Sequence, residues 1–180
     1  MTDEEVVVLV CSGDKNKFTL IIERYQDKLF RYIKRLANQS NEDIEDILSD
    51  VFLSAYTNLQ GFDTHKIFSS WIYRIAHNKV IDYFKSKKHT YSLSEDSEEL
   101  IWNKDKLLED LEIEKENQKI IKNAVSELEL KYKEVILLFY FEDNSYQEIS
   151  DILHLNVNQV GVLIYRAKQK LKQKLKTLYE

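Results

Sequence analysis

The sequence predicts an all-α protein: two helical domains joined by an acidic linker, the C-terminal one a helix-turn-helix. Three observations carry this. Proline is absent and glycine is limited to Gly13, Gly61 and Gly161 in 180 residues, where average usage gives roughly nine prolines and a dozen glycines. Apolar residues recur at three- and four-residue spacing through most of the chain, as the buried stripe of a helix requires. One stretch, YSLSEDSEELIWNK, between His89 and Asp105, is acidic and serine-rich and loses that spacing, apart from Leu100, Ile101 and Trp102, which read as a docking patch. The expected division is a domain over 1–90, a linker with the start of a connecting helix over 91–118, and a second domain over 119–180.

Thr2 to Cys11 reads as a short helix opened by acidic residues, with Ser12, Gly13 and Asp14 as the turn that follows. Phe18, Ile21, Ile22, Tyr25, Leu29, Ile33 and Leu36 mark a long helix from Asp14 to about Asn38. Ser40 and Asn41 offer a cap, and Ile44, Leu48, Val51, Phe52, Ala55 and Leu59 trace a third helix, broken by Gln60 to Lys66 with Gly61. The run FSSWIYRIAHNKVIDYFKSKK, Phe68 to Lys88, is a fourth, with Phe68, Trp71, Ile72, Ile75 and Ala76 on one stripe. Four such helices over about ninety residues can form an independent core. After the linker, helical spacing resumes from Lys106 to about Leu128 and continues in Lys131 to Phe141, Ser145 to Leu153, and Asn158 to about Leu178.

Composition excludes several function classes. No apolar run approaches the roughly 18 residues of a membrane span, and the start, MTDEEVVVLV, is acidic where a secretory signal is basic. A cytoplasmic protein is expected. The single cysteine, Cys11, excludes an internal disulfide. The four histidines lack metal-ligand spacing, so neither metal nor cofactor is expected. No glycine-rich phosphate loop or nucleophile elbow is present, and no enzyme is expected.

The formal net charge of −5 hides an uneven distribution. Residues 1–90 carry 13 Lys and Arg against 13 Asp and Glu, residues 91–118 carry 3 against 10, and residues 119–180 carry 10 against 8. Outside the linker the chain is neutral to slightly basic, so its acidity does not argue against nucleic acid.

Two stretches carry chemistry. The Phe68–Lys88 helix combines aromatic rings with Arg74, His77, Asn78, Lys85, Lys87 and Lys88. Rings stack on unpaired bases and cations neutralise phosphate, a combination suited to a separated DNA strand; read blandly, the rings are core. In the second stretch, Ser145 caps a short helix, His154-Leu155-Asn156 turns, and Val157, Val160, Ile164, Ala167 and Leu171 pack one face of a second helix. Arg166, Lys168, Lys170, Lys172, Lys174 and Lys176 follow with no interrupting acid. A solvated helical hairpin with a basic end imitates this pattern.

Together these blocks resemble a bacterial sigma factor of the compact extracytoplasmic-function group. GDKNKFTLIIERYQDKLFRYIKRL is similar to the start of that family's second conserved region, DIEDILSDVFLSAYTNLQGFD to its polymerase-binding helix, and FSSWIYRIAHNKVIDYFKSKK to its promoter-melting helix. LKYKEVILLFYFEDNSYQEISDILHLNVNQVGVLIYRAKQKL is similar to the fourth region. The resemblance implies a non-catalytic initiation factor that binds core RNA polymerase and promoter DNA, opens the −10 element, contacts the −35 element, and is masked by an anti-sigma factor, often membrane-attached. It places Asp46, Ser49, Asp50, Phe52, Leu53 and Tyr56 at the polymerase. It places Phe62, His65 and Lys66 on a loop that captures a flipped base, and Trp71, Arg74, His77, Asn78 and Lys85 on the unwound strand. Ser145, Tyr146, Gln147, Asn158, Gln159, Val162, Tyr165, Arg166, Lys168 and Lys170 fall to the helix-turn-helix.

The sequence also departs from the family. Ser49-Asp50 stands where Gln-Glu is usual, and Gly161, Val162 and Leu163 stand where Lys, Ser and Arg are common. Three readings follow for the second helix: recognition rests on Asn158, Gln159, Tyr165, Arg166, Lys168 and DNA shape; Val162 and Leu163 meet thymine methyls; or this face meets a protein. The loss of the usual cations from this helix leads to an alternative, a degenerate sigma-like protein that binds polymerase or an anti-sigma factor without directing promoters. Lysine outnumbers arginine 21 to 5, which weights contacts toward phosphate rather than base edges. The linker is either a charge-extended tether or a segment that threads a basic channel of the polymerase.

Overall fold

The computed structural model describes residues 1–88 and 115–179, all of whose regular structure is helical. The expected linker and its Leu100-Ile101-Trp102 patch lie outside the described residues. The chain divides into two compact units.

The N-terminal unit holds α1 (Asp3–Cys11), α2 (Phe18–Ala37), α3 (Asn41–Asn58) and α4 (Phe68–Lys88). Thr2 starts α1 with a capping box, its hydroxyl accepting from Glu5 N at 3.2 Å while Glu5 Oε2 accepts from Thr2 N at 2.8 Å. Gly13, at φ 120°, makes the turn that an L side chain would strain. The helix expected from Asp14 begins as a 3-10 turn, Lys15–Lys17, and becomes α-helical at Phe18, the first buried residue of its stripe. Asn38 ends α2 in the left-handed conformation at φ 51°, and Ser40 caps α3 by accepting from Asp43 N. α3 packs against both α2 and α4. Ile21, Leu29, Tyr32, Ile33, Leu36, Ile44, Val51, Phe68, Ile72 and Val80 are fully enclosed. Edge-to-face ring pairs, Tyr32 with Tyr73 and Tyr25 with Phe68, lock α2 to α4.

The far end of α4 is tied down by a polar cluster. Lys87 Nζ lies 3.4 Å from Asp43 Oδ1 and 4.6 Å from the centre of the Tyr83 ring, and Tyr83 donates to Gln39 Oε1 at 3.2 Å. Burial pushes the Asp43 carboxyl up, but the Ser40 hydroxyl, the nearby Tyr83 hydroxyl and the Lys87 ammonium outweigh it and hold the group below its ordinary value. The Tyr83 hydroxyl, followed by Asp43, raises Lys87.

The C-terminal unit holds α5 (Lys115–Ser126), α6 (Leu130–Ile136), most of α7 (Tyr146–Leu153) and α8 (Val157–Tyr179). The single helix expected over Lys131 to Phe141 is instead α6 followed by a wider π turn, Leu137–Phe141. Its carbonyls find partners further along: Leu137 O accepts from Glu142 N, and Leu138 O from both the backbone and the side-chain amide of Asn144. α8 packs on α5 and α6 through Val160, Ile164, Ala167 and Leu171.

Candidate polymerase and nucleic-acid interfaces

α3 turns Ile44, Ile47, Val51 and Ala55 inward, so the residues between them form an outward stripe. Asp46, Ser49, Asp50, Leu53 and Tyr56 are exposed and Phe52 is half-buried. Leu53 is 62% exposed, although burying a leucine side chain is worth about 1.5–3 kcal/mol. Ser49 turns its hydroxyl back to Glu45 O at 2.8 Å, leaving Asp46 and Asp50 as the carboxylates of the stripe. Asp50 also lies 4.0 Å from Lys79 Nζ, joining this face to α4. Tyr56 leans its ring edge on Phe18 at 5.1 Å.

On α4, Phe68, Ile72, Tyr73, Ala76 and Val80 are buried. Trp71, Arg74, Asn78 and Lys85 recur at helical spacing on one side, whereas His77 sits to the flank. Phe62, in the loop before α4, is only 8% exposed and lies 5.1 Å from the Trp71 ring and 5.4 Å from Phe68. Phe62 therefore backs Trp71, whose own ring is half-buried, while His65 and Lys66 are exposed. Asp63 shapes their turn: its carboxylate accepts from His65 N at 3.0 Å and its carbonyl from Lys66 N at 2.9 Å. Lys85 stands 3.5 Å from Asp82.

The helix-turn-helix places Ser145 at the N-cap of α7, in a capping box with Glu148. Gln147 is exposed in the first turn. His154 closes α7 in the left-handed conformation at φ 54°. α8 begins with a reciprocal cap in which Gln159 Oε1 accepts from Asn156 N at 2.9 Å and Asn156 Oδ1 from Gln159 N at 2.8 Å. The amide oxygen of Gln159 is thereby committed to the helix start. Tyr146 lies against Phe139 at 5.3 Å and over Gly161.

The basic run does not share one face. Lys168 stands 5.1 Å over the Tyr140 ring and 5.7 Å over Phe139. Lys170 reaches Glu129 at 3.3 Å, and Lys174 reaches Glu127 at 2.7 Å. Hydrogen bonds from Lys131 and then Lys170 hold the Glu129 carboxyl below its ordinary value. Opposite the buried stripe lie Asn158, Val162, Tyr165, Arg166, Gln169 and Lys172, all exposed. Gln169 and Lys172 were not singled out from sequence as site residues, although counting four residues on from Tyr165, and then three more, finds them. Leu163 turns toward the flank and is half-buried, while Val162 is 48% exposed.

Residues 21–90 match the sigma-70 region 2 family and residues 118–171 the sigma-70 region 4 family. The ECF RNA polymerase sigma factor SigW of Bacillus subtilis is 34% identical, over 94% of both chains. This chain belongs to the ECF sigma factor family. The ECF sigma-E factor of Haemophilus influenzae is 29% identical over 99% of this chain and 97% of its own. Two solved structures agree with the architecture. CnrH, in complex with the cytosolic domain of CnrY, superposes with a TM-score of 0.72 at 23% identity, over 97% of each chain. RpoE of Bartonella quintana, bound to the anti-sigma factor NepR, gives 0.68 at 16% identity over 88% of this chain and 96% of that one. The α3 and α4 stripes of this sigma factor lie within its region 2 match, and the α7–α8 stripe falls in or just past its region 4 match. Among the described residues no cluster of His, Cys, Asp and Glu could hold a metal ion, and no helix is long and apolar enough to cross a membrane.

Proposed function

We propose that the chain works in the cytoplasm as a non-catalytic subunit of RNA polymerase holoenzyme and directs it to promoters. In this reading α3 docks on core polymerase through Leu53, Phe52, Tyr56 and the carboxylates of Asp46 and Asp50. Trp71, Arg74, Asn78 and Lys85 of α4, with Phe62, His65, Lys66 and His77 beside them, hold the opened −10 strand. The α7–α8 unit contacts the −35 element. The observation that carries the reading is the occurrence, in family order along one chain, of a region 2 unit with an apolar-acidic outward stripe and a region 4 unit with an outward helix face.

On α8, Arg166 and Lys172 supply charge for phosphate, while Asn158, Val162 and Tyr165 face the bases. The linker tethers the two units. An anti-sigma protein is the expected regulator, as NepR is for the Bartonella RpoE, and the exposed apolar residues of α3 and α8 suit such a partner as well as they suit polymerase and DNA.

The test is transcription in vitro with core polymerase and genomic fragments. RNA starting at defined sites only when this chain is added supports the reading. Core binding without any defined start would leave a degenerate relative that occupies polymerase, a reading favoured by the uncharged Gly161-Val162-Leu163 run.

A further inference from the structure

The first turn of α4 contains no acidic residue, and Ile67 just before it offers no side-chain acceptor for the N–H groups that a helix start leaves unpaired. The acceptor comes from 64 residues earlier. Glu4 Oε1, on α1, accepts from the backbone N–H of Phe68 at 3.0 Å. A carboxylate at this end of a helix is a charge-assisted partner and complements the helix dipole.

α1 is itself anchored so that Glu4 has little freedom. The neighbouring Asp3 carboxylate accepts from Arg24 Nη1 and from the Tyr25 hydroxyl, each at 2.6 Å, and Arg24 Nη2 donates to Met1 O at 3.1 Å. Val6, Val7 and Val10 are buried. Tyr25 then meets Phe68 from the other side, ring to ring at 5.7 Å. Phe68 is thus held by its backbone through Glu4 and by its ring through Tyr25. Phe68 in turn contacts both Trp71, at 5.5 Å, and Phe62, at 5.4 Å. These are the rings that the proposed function assigns to the unwound strand.

We propose that Glu4 is a positioning residue for promoter opening: its carboxylate, presented by α1, fixes the start of α4 and so pre-orders the Phe62–Trp71 pair for the separated strand. The inference rests on the functional reading above. A pair ordered in advance loses less freedom on binding than one ordered by the DNA. Glu4 need not touch DNA for this effect.

The test uses holoenzyme assembled with the full-length chain in a Trp102→Phe background, which leaves Trp71 as the sole tryptophan of the chain. The probe is a fork template carrying the nontemplate strand of a promoter used by the wild-type holoenzyme. Glu4→Ala is expected to leave core binding unchanged, to weaken fork binding about fivefold, the scale of a lost helix cap, and to increase acrylamide quenching of Trp71 in the free factor below its melting temperature. Glu4→Gln keeps a neutral acceptor and should recover most of the fork affinity. Glu4→Asp keeps the charge but is one methylene short of Phe68 N, and should behave like Glu4→Ala if the latter is too unstable to assay. Wild-type fork affinity and Trp71 quenching in both Ala and Asp variants would overturn the proposal. A wild-type holoenzyme that neither binds the fork nor opens a promoter would instead overturn the functional reading beneath it.

Discussion

Lys174 Nζ lies 2.7 Å from Glu127 Oε2, bridging the last turns of α8 to the end of α5. With Lys170 on Glu129, it divides a basic run that is uninterrupted in sequence into paired and outward-facing cations. Exposed pairs of this kind add little to stability, so their interest is where they leave positive charge. Arg166→Ala and Lys172→Ala should each lower the salt slope of holoenzyme binding to duplex promoter DNA by about 1, and Lys170→Ala and Lys174→Ala by distinctly less. Equal slopes for all four, from binding titrations at several salt concentrations, would mean that the pairs open on DNA.

Val162 presents an apolar side chain one helical turn before Arg166. Contact between Val162 and a thymine methyl in the major groove is the chemistry open to it. Replacing upstream-element thymines one at a time by uracil should weaken wild-type binding at one position by about fourfold, the factor for roughly 0.8 kcal/mol per buried methyl-sized group. Val162→Ala should be insensitive to the same replacement.

Leu53 is largely exposed in the free protein. Leu53→Asp should therefore leave the melting temperature nearly unchanged while reducing affinity for core polymerase at least tenfold, on the scale of about 2 kcal/mol for a lost apolar anchor. Pull-down and calorimetry of the same preparation separate the two quantities. A matching drop in melting temperature would assign Leu53 to folding instead.

A Cβ built on Gly161 would stand 3.6 Å from Tyr146 Cε2, an ordinary contact. Gly161→Ala should consequently stabilise the protein by about 1 kcal/mol through helix propensity and reduced freedom of the unfolded chain, read by denaturant unfolding. A loss of stability would show that Tyr146 cannot accommodate the methyl group.

The Asp43–Lys87–Tyr83 cluster has a defined pH dependence. Asp43 is held below its ordinary value, so its contribution is present above the usual aspartate range, near pH 4, and is lost as pH falls through the lowered folded value. Lys87 is raised, so its contribution is complete below the ordinary lysine value, about 10.4, and fades as pH rises beyond it. Neutral pH lies between these limits. Asp43→Asn should flatten the acid side of the stability profile measured by thermal melts, and an unchanged acid limb would discount the cluster.

The helices and their order were legible in the chain because helical burial is a local rule. Residues three and four apart share a face whatever surrounds them, so Ile21 to Leu36, Phe68 to Ala76 and Val160 to Leu171 announce their inward stripes. Caps are equally local: Thr2, Ser40 and Ser145 each bond within three residues. The family's two motif blocks were legible by resemblance rather than by spacing. What spacing cannot give is which side chain from a distant helix arrives beside a given one. Packing decided that Phe62 backs Trp71, that Lys87 serves Asp43, that Glu129 engages Lys170, and that Glu4 completes α4. Chemical type and face are properties of a short segment; availability is a property of neighbours fixed only when the helices close on one another.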